Sequence, residues 1–139
     1  MIKKLFYVGD CSNTSNISLL LTRLIIGGFM LTHGYGKLLM LIGGEPIQFP
    51  DPIGIGATAS LVLAVLAEFF CSLLLMLGLV TRVSAFTLLI NMAVAAFVFH
   101  ANDGFGMKEL ALLYGTVYLL LLIAGPGKYS ADSFISEKL

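Results

Sequence analysis

The stretch from Gly56 to Val80, GATASLVLAVLAEFFCSLLLMLGLV, is apolar or small almost throughout and carries one carboxylate, Glu68, close to its centre. A run of this length meets the ~20 residues that a helix needs to cross a hydrocarbon core of about 30 Å. A charged side chain near the bilayer midplane costs on the order of 3 kcal/mol on insertion scales, so it is kept where it faces a bundle interior and finds a partner. The remainder of the chain is read as the bundle that houses Glu68.

Composition agrees with that reading. The chain is 58% hydrophobic and 12% charged, with a formal net charge of zero, and further apolar runs are too long for buried core helices of a soluble domain. The expected fold class is all-α, a polytopic membrane protein built as a four-transmembrane-helix bundle. Its domains are an N-terminal segment over residues 1–16, the bundle over 17–124 and a tail over 125–139. No basic cluster supports nucleic-acid binding. Cys11 and Cys71 lie sixty residues apart in sequence and form no CxxC pair, so dithiol chemistry has no support. The start of the chain does not read as a cleavable signal, because polar residues separate Lys3 and Lys4 from a full-length apolar run.

In chain order, Ser12-Asn13-Thr14-Ser15-Asn16 is helix-start chemistry. The first span is expected over Ile17–Ile42, where Arg23, Gly27, Met30, Gly34 and Lys37 share one stripe at 100° per residue with His33 at its edge. That stripe should face other helices, although Arg23 and Lys37 lie near opposite ends and either could snorkel to a headgroup. Pro46, Pro50 and Pro52 forbid a regular helix over Gly43–Ile55. This loop is either a surface connection or an apolar flap over the bundle mouth. In the second span Ala57, Ala64, Glu68 and Ser72 share a face, and Glu68 is expected either to work in a site or to hold helices together through an ion pair with Arg23 or Lys37. Cys71 reads as a small packed hydrophobe.

Gly78-Leu79-Val80-Thr81-Arg82 is a tight connection, with Thr81 as the expected cap of a third span over Val83–Ala101. Asn91 and His100 fall on opposite faces of that span if it is a regular helix, and Asn91 reads as an interhelical hydrogen-bonding residue. After the turn Asn102–Gly106, the fourth span runs over Met107–Ala124. Glu109 opens it, and Tyr114 and Tyr118 lie together, as packing groups or as interface anchors. Gly125-Pro126-Gly127 ends it, and a polar tail follows. Four spans put both termini on one side, together with Lys3, Lys4, Arg82, Lys128 and Lys138, against Lys108 opposite them. The positive-inside rule then places the termini in the cytoplasm.

This topology brings His33, Lys37, His100 and Glu109 to similar depth in the outer half, with Glu68 below them. Two imidazoles, an ammonium and two carboxylates in an apolar bundle suit proton-coupled chemistry, because histidine titrates near neutrality. A quinone head group matches: its carbonyl oxygens need donors and a proton supply, and its isoprenoid tail needs lipid. No HxxxH or ExxH spacing supports a metal and no flavin motif is present, so neither metal nor flavin is expected.

His33-Gly34-Tyr35-Gly36-Lys37-Leu38, the central Glu68, Gly78-Leu79-Val80-Thr81-Arg82, His100, Glu109-Leu110-Ala111-Leu112-Leu113-Tyr114 and Gly125-Pro126-Gly127 with Ser130 and Asp132 together resemble the DoxX family of small four-helix membrane proteins. The likeness runs from about Arg23 to Asp132. It implies a bacterial inner (cytoplasmic) membrane protein, in a family named after a subunit of a thiosulfate:quinone oxidoreductase and associated with membrane redox functions. It implies no defined reaction.

The function expected is that of a quinone-linked redox protein, an oxidoreductase or a subunit of one. Glu68 and Glu109 would handle protons, His33 and His100 would hydrogen-bond the ligand, and Lys37 and Arg23 would stabilise a reduced, anionic ring, with Tyr114 also against the cofactor. The partners this calls for are the lipid bilayer, a quinone and a soluble redox protein, with a homo-oligomer left open. The alternative is a non-catalytic membrane anchor or assembly partner of a redox or stress-response complex, its internal charges being structural. Transport is a weaker third reading, because no internal repeat is evident.

Overall fold

The computed structural model describes residues 12–138, so most of the N-terminal segment, including Lys3, Lys4 and Cys11, lies outside the described residues. Four helices are long and apolar enough to cross a membrane: α1 (Asn13–Ile42), α2 (Ala57–Leu77), α3 (Thr81–Phe99) and α4 (Phe105–Ala124). At 1.5 Å per residue the last three span about 30 Å each, the thickness of a hydrocarbon core. A short helix, α5 (Ala131–Lys138), follows. Among the described residues there is no strand.

Helix α1 packs along α2 and α3 along α4; α2 and α3 join the pairs, while α1 and α4 touch sparsely. Of the stripe expected on α1, Arg23, Gly27, Met30 and Gly34 are buried, Asn16 extends that face toward the helix start, and Lys37 is partly exposed. Close approach is what the glycine at 34 permits. A Cβ there would stand 2.5 Å from the Glu68 carbonyl carbon and the Phe69 nitrogen. Between the pairs, Met30, Leu75, Leu88, Met92, Tyr114, Tyr118 and Leu121 form the core. The outward faces carry Phe29, Leu77, Leu113 and Ile123, the apolar exterior that lipid requires.

Neither α2 nor α3 is regular. α2 passes through a π-helical turn at Leu66–Cys71, and α3 ends in one at Ala95–Phe99. Such turns add a residue to the helical repeat and are frequent at functional sites.

The connections depart from expectation at the end of the bundle where the termini lie. Ser12 caps α1, its hydroxyl accepting from the Ser15 amide at 3.2 Å, so the helix starts earlier than Ile17. Gly78 ends α2 in the left-handed conformation, at φ 68°. Thr81 does not cap α3. The carboxylate of Asp132 accepts from the amides of Val80 at 2.7 Å and Thr81 at 2.9 Å. The tail is thus a docked element: the Asp132 amide donates to the Gly78 carbonyl at 2.8 Å, and the Lys128 amide donates to the Asn16 side chain at 2.8 Å. An unprotected helix start with its partial positive charge attracts a carboxylate from wherever the fold can bring one.

Candidate ligand site between the second and third helices

At the opposite end of the bundle, which we call the loop end, a cavity of about 600 Å³ lies between α2 and α3. Its walls are apolar, with Leu63, Ala64 and Ala67 from α2 and Phe86, Ile90 and Val94 from α3. Phe49, Pro50, Pro52 and Ile53 roof it, so the proline-dense connection is the flap rather than a plain surface link. Asp51 pins this roof by accepting from the Ile55 amide at 2.9 Å, the Gly56 amide at 2.7 Å and the Ser60 hydroxyl at 2.8 Å. These bonds, foremost those from Gly56 and Ser60, hold the Asp51 carboxyl below the ordinary carboxylate range. Leu63, Phe86 and Ile90 are half exposed on the outer surface, which leaves the cavity a side opening toward lipid.

The polar floor is built around Glu68. One carboxylate oxygen pairs with the ammonium of Lys37 from α1. The other accepts from Asn91 Nδ2 of α3 at 2.9 Å. Three helices are therefore tied at one buried carboxylate, and of the two cations considered for the pair it is Lys37 that makes it. The fit depends on Gly34, three residues before Lys37, letting α1 lie directly against the backbone of the π turn that carries Glu68.

His100 and Asn91 both line this cavity, contrary to the expectation for a regular helix. Nine regular residues would turn the chain by about 900°, half a turn past whole revolutions. The π turn between them adds one residue to its repeat and sets the following side chains back by about 100°, which swings His100 to the Asn91 side. Its Nδ1 lies 2.6 Å from Asp103 Oδ2, and its ring meets Phe99 edge-on at 4.6 Å.

A smaller cavity of about 180 Å³ lies on the other side of the Lys37–Glu68 pair, in the α1–α4 seam. Lys37, Glu68 and His100 border both cavities, whereas His33 and Tyr114 border the smaller one alone. His33 and Tyr114 stand perpendicular with ring centroids 6.2 Å apart, and Tyr114 stacks on Tyr118 at 6.1 Å.

Of the residues singled out from sequence, Glu68, Lys37, His33, His100 and Tyr114 are brought together. Two are not. Arg23 shares the α1 stripe but lies fourteen residues from Lys37, about 21 Å along the axis. It is wholly buried at the terminus end, donating to the carbonyls of Leu75 and Tyr129. It does not snorkel, because those carbonyls and the docked tail supply its acceptors there. Glu109 is exposed and lines neither cavity. It sits five residues before Tyr114, about 140° around the helix, so when Tyr114 faces inward Glu109 faces out. The residue that sequence reasoning left out of the site is Asn91, whose amide stands alone among apolar neighbours near the middle of α3. That isolation was the available signal.

The DoxX family model matches residues 18–101, which include Lys37, Glu68, Asn91 and His100. The chain is 31% identical over 132 residues to the inner membrane protein YqjF of Escherichia coli, covering 88% of this chain and 95% of that protein. An uncharacterized protein of Haemophilus influenzae is 32% identical over 127 residues, covering 84% and 89% respectively. An uncharacterized membrane protein of Mycobacterium tuberculosis is 32% identical over 146 residues, covering 87% and 83%. No solved structure matches the chain.

Proposed function

We propose, from the premise that this chain belongs to the DoxX family of integral membrane proteins, that it is a quinone-linked redox protein or subunit of the bacterial inner membrane. The observation that carries this reading is the apolar cavity of about 600 Å³, open to lipid at one side, with a charged and hydrogen-bonding floor of Lys37, Glu68 and Asn91. Its size falls within the roughly 300–1,000 Å³ of small-molecule sites, and a mostly apolar wall with a few convergent polar groups is their usual chemistry. A quinone ring presents two carbonyl oxygens, which take hydrogen bonds from Lys37, Asn91 and His100. Its isoprenoid tail leaves through the opening beside Leu63, Phe86 and Ile90. Reduction consumes two electrons and two protons. The electrons come from a donor on a partner protein, while Lys37 stabilises negative charge on the ring and Glu68 relays protons to it. The inner-membrane location follows the name of the Escherichia coli relative. The excess of Arg82, Lys128 and Lys138 at the terminus end over Lys108 at the loop end supports cytoplasmic termini and a site in the outer half.

One observation favours a second reading. Glu68 ties α1, α2 and α3 together, as it would in a non-catalytic anchor for a redox or stress-response complex whose charges only brace the bundle. Mass spectrometry of small molecules that co-purify in mild detergent separates the two readings, with Glu68→Gln of equal helicity beside the parent and a lipid control. The redox reading expects a stoichiometric quinone in the parent and its loss in Glu68→Gln. An empty protein, or equal carry-over in both, refutes it and moves the assignment to the anchoring role.

A further inference from the structure

Glu68 faces two spaces of different character. The larger is walled by aliphatic and aromatic side chains and opens beside lipid-exposed residues. The smaller carries His33 and Lys37 from α1, Glu68 from α2, His100 from α3 and Tyr114 from α4. It begins at Met107, one turn or less into α4, and reaches inward to Met30. Met107 is 59% exposed, and the His100–Asp103 pair stands at the same end of the bundle. The space thus runs from the loop end to the buried carboxylate along the sparsely packed seam between α1 and α4.

A space of this kind holds water when it is roomy enough and offers two to four polar partners, and both conditions are met here.

We infer that the smaller cavity is a hydrated access path by which Glu68 exchanges protons with the aqueous phase at the loop end, while the larger cavity is reserved for the apolar ligand. The Lys37–Glu68 pair, together with Ala95 and His100, is the partition between them. Protons reach the pair past the imidazoles of His100 and His33, and Tyr114 completes the lining. The path stands on the geometry alone. Together with the proposed function it assigns the side of the membrane from which quinone reduction takes its protons.

The test reads water rather than turnover. In a background with Cys11 and Cys71 replaced by Ser, a single cysteine is placed at Ala111, on the wall of the smaller cavity, or at Leu113, exposed on the lipid side and outside both cavities. A permanently charged, membrane-impermeant methanethiosulfonate is added to one side of sealed vesicles of known orientation. Only a hydrated thiol ionises readily. A rise of about one unit in thiol pKa within lipid already lowers the thiolate fraction about tenfold. The expected result is labelling of Ala111→Cys at least about tenfold faster than Leu113→Cys, and only from the loop side. Equal rates, or labelling from the terminus side, overturn the inference. If Ala111→Cys does not accumulate, Met92→Cys, on the α3 wall of the same cavity, gives the same comparison. Because no ligand is needed, labelling in a protein that carries no quinone would refute the redox reading and leave the access path standing.

Discussion

Lys37→Met weighs the charge pair directly, because it removes the ammonium and leaves the carboxylate. Glu68 is 5% exposed, and its two oxygens are divided between Lys37 and Asn91. Breaking a buried pair by deleting one partner costs about 3–5 kcal/mol. The Lys37 side chain is 25% exposed, so part of the interaction is screened and the figure is lowered. The expected deficit is about 2–3 kcal/mol. Glu68→Gln keeps an acceptor for Asn91 and removes the charge, so the double variant should recover most of the loss, giving a coupling energy of about 2 kcal/mol. Denaturant titration in mixed micelles, followed by circular dichroism for all four proteins, measures it. Additive losses would show that the carboxylate is not held by this pair.

Gly34→Ala places a methyl group 2.5 Å from backbone atoms of Glu68 and Phe69, which no side-chain rotation relieves. It should cost about 1–3 kcal/mol, whereas Gly36→Ala, with open space around it, should be neutral or stabilising by up to ~1 kcal/mol. Thermal unfolding of the two variants side by side decides this, and equal melting temperatures would mean that α1 does not rest on the π turn. Asp132→Ala removes the acceptor that caps α3 and should cost about 1–2 kcal/mol, with Asp132→Asn intermediate. Tryptic cleavage after Lys128 should be faster in Asp132→Ala, and unchanged cleavage would deny the tail its docked position.

The candidate site was legible to the extent that helical periodicity alone places a residue. The stripe through Arg23, Gly27, Met30 and Gly34 is buried on α1 and ends at the partly exposed Lys37, and Glu68 found its partner among the two cations that stripe offered. The same rule applied to α4 separates Glu109 from Tyr114 by about 140°, so Glu109 was excluded by a criterion already in hand. Arg23 lies away from the cavities because face and depth are different coordinates. A stripe fixes the first, whereas the second depends on which carbonyls and which tail lie at each level.

The sequence by itself determined the class, the number of spans and the identity of the central group. Apolar runs of bilayer length have no other stable arrangement, since every backbone amide in lipid must be paired within its own helix or a closed barrel. Only the tertiary structure decided that Asn91 and His100 share a cavity, that Asp132 rather than Thr81 caps α3, and that the proline-dense loop is a roof. Each of these depends on a π turn or on a contact between residues distant in the chain, such as the 51 positions between Thr81 and Asp132. Local composition carries no record of either, because a π turn repeats with a different period and a distant carboxylate is chosen by where the packed helices deliver it.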